Sequence, residues 1–560
     1  NQIRDGIQAR LERDLAVDVA ALNEPLRALF GTRGDEDAAQ PDWQRIACAL
    51  AARQAFAIIT GGPGTGKTTT VVRLLAVLQG LAAAGGAPPL RIELAAPTGK
   101  AAARLNESIA DQIRGLASPP GIADSLPTQV KTLHRLLGTL PNSRHFRHQA
   151  AHPLAADLVV VDEASMIDVE MMARLLDALR PDARLILLGD KDQLSSVEAG
   201  AVLGDLCRRA AAGHYRPETA AWLRQASGDR LPDALIDPAG TALDQSIVML
   251  RQSYRFRADG GIGALAACVN ETIPPPPDGR DRLTAVKRLF AHAPARPGHD
   301  PDSLQAVQLA GADDARFARL IEEVYGAPES YLRVIRDNAP DAGADPTEVS
   351  AWARRVLEAQ RRFQLLTALR QGAWGVEGLN QRIIERLRAH GLLAADPHAE
   401  ALPTGPQRHW FPGRPVMVTR NDYGLNLMNG DLGVTLPWPA PGRPDRAILR
   451  VAFPTVDGGV RWVLPSRLQS VETVFALTVH KSQGSEFDHA ALILPDRPNP
   501  VLTRELLYTA ITRAKHRFTL LYSEEQVLAE ALEQRVQRAS GLIGIAEAEP
   551  FEPLRDATGM

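Results

Sequence analysis

The sequence predicts an α/β chain of two parallel-sheet units in series, with a small β-rich piece set into the second. Three observations carry that prediction. The apolar run Phe56-Ala57-Ile58-Ile59 leads into a glycine loop, Gly61–Thr68, and then into the amphipathic stretch Thr69–Leu75. Strand-like runs alternate with helical patterns from there to about Cys207, which implies parallel strands covered by helices. Between Phe411 and Val471 short β-type runs are separated by turn signals, and the α/β alternation returns from Val474.

The glycine loop reads GGPGTGKT and fits G-x-x-x-x-G-K-[ST] in full, with Gly61, Gly66, Lys67 and Thr68 at the fixed positions. Backbone N–H groups can approach a triphosphate closely only where glycine leaves room and permits positive φ. The helix that follows adds the partial positive charge of its N-terminus. Gly61, Gly62, Pro63, Gly64, Thr65, Gly66, Lys67, Thr68 and Thr69 are therefore the expected phosphate-binding residues. Lys67 is expected to reach the β- and γ-phosphates, and the Thr68 hydroxyl to ligate Mg²⁺.

The 560 residues suffice for about three or four domains, and 45% hydrophobic with 23% charged residues is an ordinary globular composition. The net charge of -3 means that any nucleic-acid contact uses a local groove rather than a generally basic surface. Cys48, Cys207 and Cys268 are far apart and lack metal-ligand spacing, so reduced thiols and a cytoplasmic location are expected. No apolar run reaches the roughly 18 residues of a membrane span, and no signal peptide is expected. The chain opens on Asn1, which leads us to expect a missing N-terminal piece. Positive charge is written almost wholly as Arg: 56 Arg stand against 7 Lys. Each Lys is thus a candidate for a site that needs a compact ammonium.

Taken in order, residues 1 to about 30 are expected to be helical, from Ile3, Ile7, Leu11, Leu15 and Val19. Gly31–Ala39 reads as a linker, and Pro41-Asp42-Trp43-Gln44 opens a helix toward Ala52. Strands are expected at Ala55–Thr60, Ile92–Ala95, Leu158–Val161 and Leu185–Leu188, then at Ser246–Leu250 and Phe363–Ala368. Ala211–Asp244 reads as a helical insertion. Pro274–Pro277 and Asp337–Thr347 read as loops. The β-rich piece has runs at Pro415–Thr419, Gly433–Leu436, Ala447–Phe453 and Val460–Leu464. The last strands are expected at Val474–Val479, Ala490–Leu494 and Phe518–Tyr522.

Several blocks follow apolar strands. Asp162-Glu163 follows Leu158–Val161, at the strand end where ligands bind in open α/β sheets. Asp162 is placed to share Mg²⁺ with Thr68, and Glu163 to orient or deprotonate the attacking water. Taken alone, an Asp there would also suit a helix N-cap. Gln193, after Leu187-Leu188-Gly189-Asp190, is a candidate γ-phosphate sensor or simply part of a polar loop. Thr98 and Lys100, after Ala95-Ala96-Pro97, are placed to take a phosphate of a nucleic-acid strand, while Ala101–Ala103 would equally suit close helix packing. Lys131–Arg135, with His134, offers a similar arrangement, although a single His is more often structural. Arg251, Arg255 and Arg513 are candidates to stabilise charge on the γ-phosphate, and spacing alone does not separate them from surface arginines.

Together the blocks resemble the superfamily 1 helicases, and within them the RecD family, the α subunits of exodeoxyribonuclease V (RecBCD). The blocks that carry the resemblance are Gln44, GGPGTGKTTTV (61–71), LAAPTGKAAARL (94–105), TLHRLLG (132–138), VVVDEASMID (159–168) and LLGDKDQLSSVEAGAVLGD (187–205). LRQSYRF (250–256), RPVMVTRND (414–422), LTVHKSQGSEFDHAALILP (477–495) and TRELLYTAITRA (503–514) complete the set. They run in family order from about 41 to 525.

The resemblance implies two RecA-like P-loop NTPase domains with an SH3-like β-barrel insert and a short helical N-terminal segment. It implies the divisions 1–40 (the remnant of a partner-docking domain), 41–245 (first RecA-like domain), 246–410 and 473–560 (second, closing on a C-terminal helix) and 411–472 (insert). It implies ATP and Mg²⁺ as cofactors, with Gln44 reading adenine and Glu486 near the ribose. Lys67, Asp162, Glu163 and Gln193 would serve catalysis, and Arg255 and Arg513 would act as arginine fingers. Pro97, Thr98, Thr478 and His480 would line a single-stranded DNA track, beside the candidates Lys100 and His134. The implied activity is 5′-to-3′ DNA unwinding from duplex ends, in a heterotrimer with RecB-like and RecC-like subunits, in recombinational repair. A nuclease constellation is absent from the sequence, which agrees with a nuclease centre in the RecB-like subunit. A stand-alone helicase of this family, the helicase region of a conjugative relaxase, and a binding subunit with a vestigial ATPase are the rival readings.

Overall fold

Six runs of the first part of the chain pair into one parallel sheet: β1 (Phe56–Gly61), β2 (Ile92–Ala96), β3 (Val130–Thr132), β4 (Leu158–Val161), β5 (Arg184–Gly189) and β6 (Ile247–Leu250). Their order across the sheet is β3-β2-β4-β5-β1-β6. The coordinates are a computed structural model that describes residues 2–13, 15–31, 40–116, 121–140, 143, 145–195, 200, 202–256, 261–270, 282–292, 303–341, 343–394, 410–422, 424–440, 443–455 and 458–536. Most of the linker expected at Gly31–Ala39, and the loop expected at Pro274–Pro277, lie outside the described residues. The chain divides into two units. One runs to Pro97 and over Ala101–Tyr254, and the other comprises Arg255–Val536 with Thr98–Lys100.

Alternation along the strands feeds two cores. Ala57, Ile59, Leu158, Val160, Ile186 and Leu188 enter one. Phe56, Ile58, Val159, Val161, Leu185 and Leu187 enter the other. A sheet buried on both faces needs apolar side chains at every position, which is why these strands read as unbroken apolar runs.

Helices α1 (Gln2–Leu11) and α2 (Val19–Phe30) replace the single helical pattern expected at the N-terminus. Ile3 and Ile7 of α1 pack into the core around Phe56, and Leu22 and Leu26 of α2 into the core around Ile59. The expectation of a separate 1–40 segment is thus corrected: these helices cover opposite faces of the first sheet. Helix α3 (Trp43–Arg53) starts where expected because the Asp42 carboxylate accepts from the N–H groups of Gln44 (3.0 Å) and Arg45 (3.1 Å). Helix α4 (Lys67–Ala84) starts at the glycine loop, and α5 (Gly99–Arg114) and α6 (Leu133–Leu137) follow β2 and β3.

The division at 245/246 is also corrected. β6 pairs in parallel with β1, from Ile58↔Ile247 to Gly61↔Leu250, so it closes the first sheet instead of opening the second. The insertion expected over Ala211–Asp244 contains one α-helix, Pro217–Ser227, whose Leu223 and Ala226 join the core shared with α2 and α3.

The second unit has a parallel sheet of β7 (Ser303–Gln308), β8 (Phe363–Thr367), β14 (Ala476–Thr478), β15 (Phe487–Ile493) and β16 (Ala514–Tyr522), in the order β14-β8-β15-β16-β7. Between its strands lies an antiparallel sheet of β9 (Pro415–Val418), β10 (Leu432–Ala440), β11 (Arg443–Pro454), β12 (Val460–Val463) and β13 (Val471–Thr473). The inserted β element is therefore present. It is a five-stranded antiparallel sheet, in the order β12-β11-β10-β9-β13 among the described residues. Its core is Val416, Val418, Leu427, Val451, Phe453 and Val463. The strand expected over Val474–Val479 is β14 of the parallel sheet, and β13, just before it, closes the insert. Among the described residues no helix is long and apolar enough to cross a membrane.

Candidate nucleotide and nucleic-acid sites

Because the first sheet is parallel, its six C-terminal strand ends share one edge, the place where open α/β sheets bind ligands. The order of strands sorts the candidates along that edge. The adjacent strands β4, β5, β1 and β6 end in Asp162-Glu163, Asp190–Gln193, the glycine loop and Arg251–Tyr254. β2 and β3, next to each other on the far side of β4, end in Pro97–Lys100 and in α6 with His134. Nucleotide candidates and nucleic-acid candidates thus meet at the β4–β2 boundary. There the Asp162 N–H donates to the Ala95 carbonyl at 2.9 Å.

In the glycine loop, Gly64 (φ 73°) and Gly66 (φ 82°) take the left-handed conformation that side chains resist. A Cβ on Gly66 would lie 2.2 Å from Gln44 Nε2. The Thr65 hydroxyl donates to the Gly62 carbonyl at 2.8 Å. Lys67 Nζ donates to the carbonyls of Gly61 (2.7 Å) and Gly62 (3.1 Å), so its ammonium lies inside the loop where phosphate charge would be met. The segment after β6 clamps the loop from outside. The Tyr254 N–H donates to the Gly64 carbonyl at 2.8 Å, and the Ser253 hydroxyl donates to the Pro63 carbonyl at 3.2 Å.

Two acids flank Lys67. Asp162 keeps some exposure, but the packed strand ends around it exclude most water, and this desolvation pushes its carboxyl up to about 6. Glu163 reinforces the rise and Lys67 opposes it. Glu163 holds φ 52°, a conformation uncommon outside glycine, as active-site residues often do. Asp190 is 1% exposed, and burial raises its carboxyl pKa against the pull of Lys67. Asp190 accepts from Gln193 Nε2 at 3.0 Å and from the Asp192 N–H at 3.1 Å. The candidate sensor Gln193 is therefore fixed on a buried acid.

Thr68, after β1, and Asp162, after β4, carry oxygen donors of the kind a hard cation takes. Among the described residues no group of three or more His, Cys, Asp or Glu is placed to hold a metal ion. Mg²⁺ takes one or two protein oxygens and fills its shell with substrate phosphates and water, so Thr68 and Asp162 are the residues that would hold it.

Gln44 is buried against the loop, with Nε2 donating to the Thr65 carbonyl at 3.2 Å. Pro97 and Thr98 form the turn between β2 and α5. His134 is exposed, with its ring edge-on to Phe146 at 5.8 Å. Lys131, considered with it, pairs with Glu93 at 2.8 Å.

In the second unit the candidates fall at opposite edges of the sheet. Thr478 ends β14, level with Thr367 of β8, and His480 follows it. Glu486 and Arg513 precede the N-terminal ends of β15 and β16, where Phe487 pairs with Ala514. The stretch 479–486 passes from one edge to the other. Arg255 and Glu486, expected in separate roles, form an ion pair at 2.8 Å. Arg513 is 2% exposed and donates from Nη1 to the Ser485 carbonyl at 3.1 Å, beside that pair. Arg251 belongs to the first unit, its guanidinium 5.0 Å from the Trp43 ring and donating to the Ala211 carbonyl at 2.8 Å.

Two functional candidates escaped sequence reasoning. Asp190 lies within a quoted block, and a carboxylate at the end of a buried strand was the available signal. Tyr254, 65% exposed while its own N–H holds the phosphate loop, presents an aromatic face at the nucleotide edge. It too lies within a quoted block, LRQSYRF (250–256), between Ser253 and Arg255.

Residues 44–199 match the family model described as an AAA domain, and residues 473–521 the one described as a UvrD-like helicase C-terminal domain. With the phosphate loop, its flanking acids and two parallel sheets, they define an ATP-dependent DNA helicase. The chain is 37% identical over 536 residues to the RecBCD enzyme subunit RecD of Haemophilus influenzae, covering 95% of this chain and 76% of that protein. It is 38% identical over 522 residues to the subunit of that name in Mycolicibacterium smegmatis, covering 92% and 75%. An ATP-dependent RecD2 DNA helicase of Deinococcus radiodurans is 28% identical over 532 residues, covering 92% of this chain and 56% of that protein. The chain belongs to the RecD family, as its motif blocks led us to expect.

Proposed function

We propose that the chain is the 5′-to-3′ motor subunit of a RecBCD-type complex, working on the 5′-ended strand at duplex ends with RecB-like and RecC-like partners. The setting is cytoplasmic double-strand break repair by homologous recombination. Similarity to the two RecBCD subunits named RecD supports the partners and the pathway. The observation that carries the motor reading is the β4–β2 boundary, where the Asp162 N–H is bonded to Ala95, two residues before Pro97.

In this reading Gln44 contacts adenine, the Tyr254 ring stacks on it, and Glu486 approaches the ribose. Gly61–Thr69 enclose the phosphates, and Lys67 exchanges the carbonyls of Gly61 and Gly62 for phosphate oxygens. Thr68 and Asp162 hold Mg²⁺, whose charge offsets that of the phosphates when it is bound. Glu163 takes the proton of the attacking water. Gln193, oriented by Asp190, senses loss of the γ-phosphate. Arg255 and Arg513 offset charge that develops on the γ-phosphate in the transition state. Pro97, Thr98, Lys100, His134, Thr478 and His480 hold the single strand through its backbone, without sequence preference.

Unwinding of a 5′-tailed against a 3′-tailed duplex tests the polarity, and preference for the 3′ tail would overturn it. Co-purification with two large partner subunits tests the complex. The likeness to the Deinococcus helicase favours one second reading, a stand-alone motor of the same family. Vigorous unwinding by the purified chain, with no partners captured, would select it.

A further inference from the structure

We propose that Arg73 is a positioning residue that fixes the Gln44 amide in the orientation that distinguishes adenine from guanine. The proposal rests on Gln44 as the adenine contact and extends that reading to a residue outside every motif block.

Gln44 is spanned by two opposite partners. Its Nε2 donates to the Thr65 carbonyl at 3.2 Å, and its Oε1 accepts from Arg73 Nη1 at 3.1 Å. An acceptor on one side and a donor on the other leave one favourable orientation. A flipped amide would set –NH₂ against guanidinium N–H, and its oxygen against the Thr65 carbonyl. The guanidinium is itself held, lying 4.6 Å from the centroid of the Phe30 ring at the end of α2. Phe30 is fixed in turn, since Arg45 Nη2 donates to the carbonyls of Phe30 (3.3 Å) and Gly31 (2.7 Å). The relay Phe30–Arg73–Gln44–Thr65 thus joins α2 to the phosphate loop within one unit.

The oriented amide keeps one N–H and one lone pair for a ligand. Such a pair matches adenine, which offers N6–H and N7, and opposes guanine, whose O6 would face the amide oxygen. Without Arg73 the amide can turn, and the discrimination fades.

The test is equilibrium binding of ATP and GTP analogues labelled on the ribose to the full chain, with KM and kcat for hydrolysis of both nucleotides in the presence of DNA. For the wild type we expect an ATP preference that Gln44→Ala abolishes. Arg73→Met is expected to narrow the ATP:GTP ratio by about tenfold, through KM and with kcat within about twofold. Arg73→Lys, whose ammonium can still donate to Oε1, is expected to keep most of the preference. A wild-type ratio in Arg73→Met, with the preference lost in Gln44→Ala, would overturn the role of Arg73 alone. An unchanged ratio in Gln44→Ala would refute the adenine contact, and this proposal with it. If thermal melting shows Arg73→Met to be unfolded, Phe30→Leu takes its place. That variant frees the guanidinium from its ring and must also narrow the ratio, and a wild-type ratio there would refute the relay.

Discussion

Asp162 and Ala95 are joined by a backbone hydrogen bond of 2.9 Å, and Pro97 and Thr98 continue the chain from Ala95. The strand that ends in a nucleotide-side acid is therefore pinned to the strand that leads to the nucleic-acid candidates. Thr98→Val removes a hydroxyl on the nucleic-acid side alone. It is expected to raise the DNA concentration for half-maximal ATPase stimulation about five- to tenfold, with the DNA-free rate and KM for ATP unchanged. A titration of ATPase against single-stranded DNA measures this, and a changed KM for ATP would contradict the partition.

Gln193 hangs on Asp190, both buried. Asp190→Asn leaves one acceptor oxygen for two donors, Gln193 Nε2 and the Asp192 N–H, so Gln193 is no longer fixed. Gln193→Ala and Asp190→Asn are each expected to lower DNA-stimulated kcat by about 10²-fold, the usual loss for an oriented polar group at a reacting centre. The double variant should fall no further, because the two act as one unit. Losses that multiply in the double variant would mean that Asp190 acts independently.

Ile7 is completely buried, in the core on the Phe56 side of the first sheet. Ile7→Ala is expected to destabilise the protein by about 2–5 kcal/mol. Denaturant unfolding monitored on the first unit reads the change. An unchanged midpoint would return α1 to the status of a separate segment.

His489 is 9% exposed, edge-on to Phe363, with Nε2 hydrogen-bonded to Thr519 Oγ1 at 2.9 Å. Burial, aided by the Arg517 charge, pulls its pKa down to about 3, against about 6.5 when unfolded. Between those values the unfolded chain binds a proton that the native chain does not, so stability falls as pH drops below about 6.5. This group alone should cost about 2 kcal/mol between pH 7 and pH 5. His489→Gln should flatten that part of the curve, and parallel stability–pH curves for the two proteins would refute it.

Much of this was legible in the sequence for definite reasons. Strands covered on both faces, such as Leu158–Val161, leave unbroken apolar runs, and the phosphate loop has fixed spacing. What was not legible depends on long-range pairing. Nothing local tells Ile247–Leu250 to join β1, because an apolar strand carries no label for its sheet. Ser303–Gln308 went unseen because its half-exposed side chains mix polar and apolar residues. The ion pair between Arg255 and Glu486 bridges residues far apart in the chain, and no periodicity could bring them together.

In the proposed reading, ATP turnover at Lys67 drives work on DNA. The most direct measurement is the ATPase rate of the full chain with and without single-stranded DNA, for the wild type and for Lys67→Gln. Strong stimulation of the wild type is expected, with a loss of at least about 10²-fold in Lys67→Gln, whose melting temperature stays close to that of the wild type. Equal rates in the two proteins would contradict it.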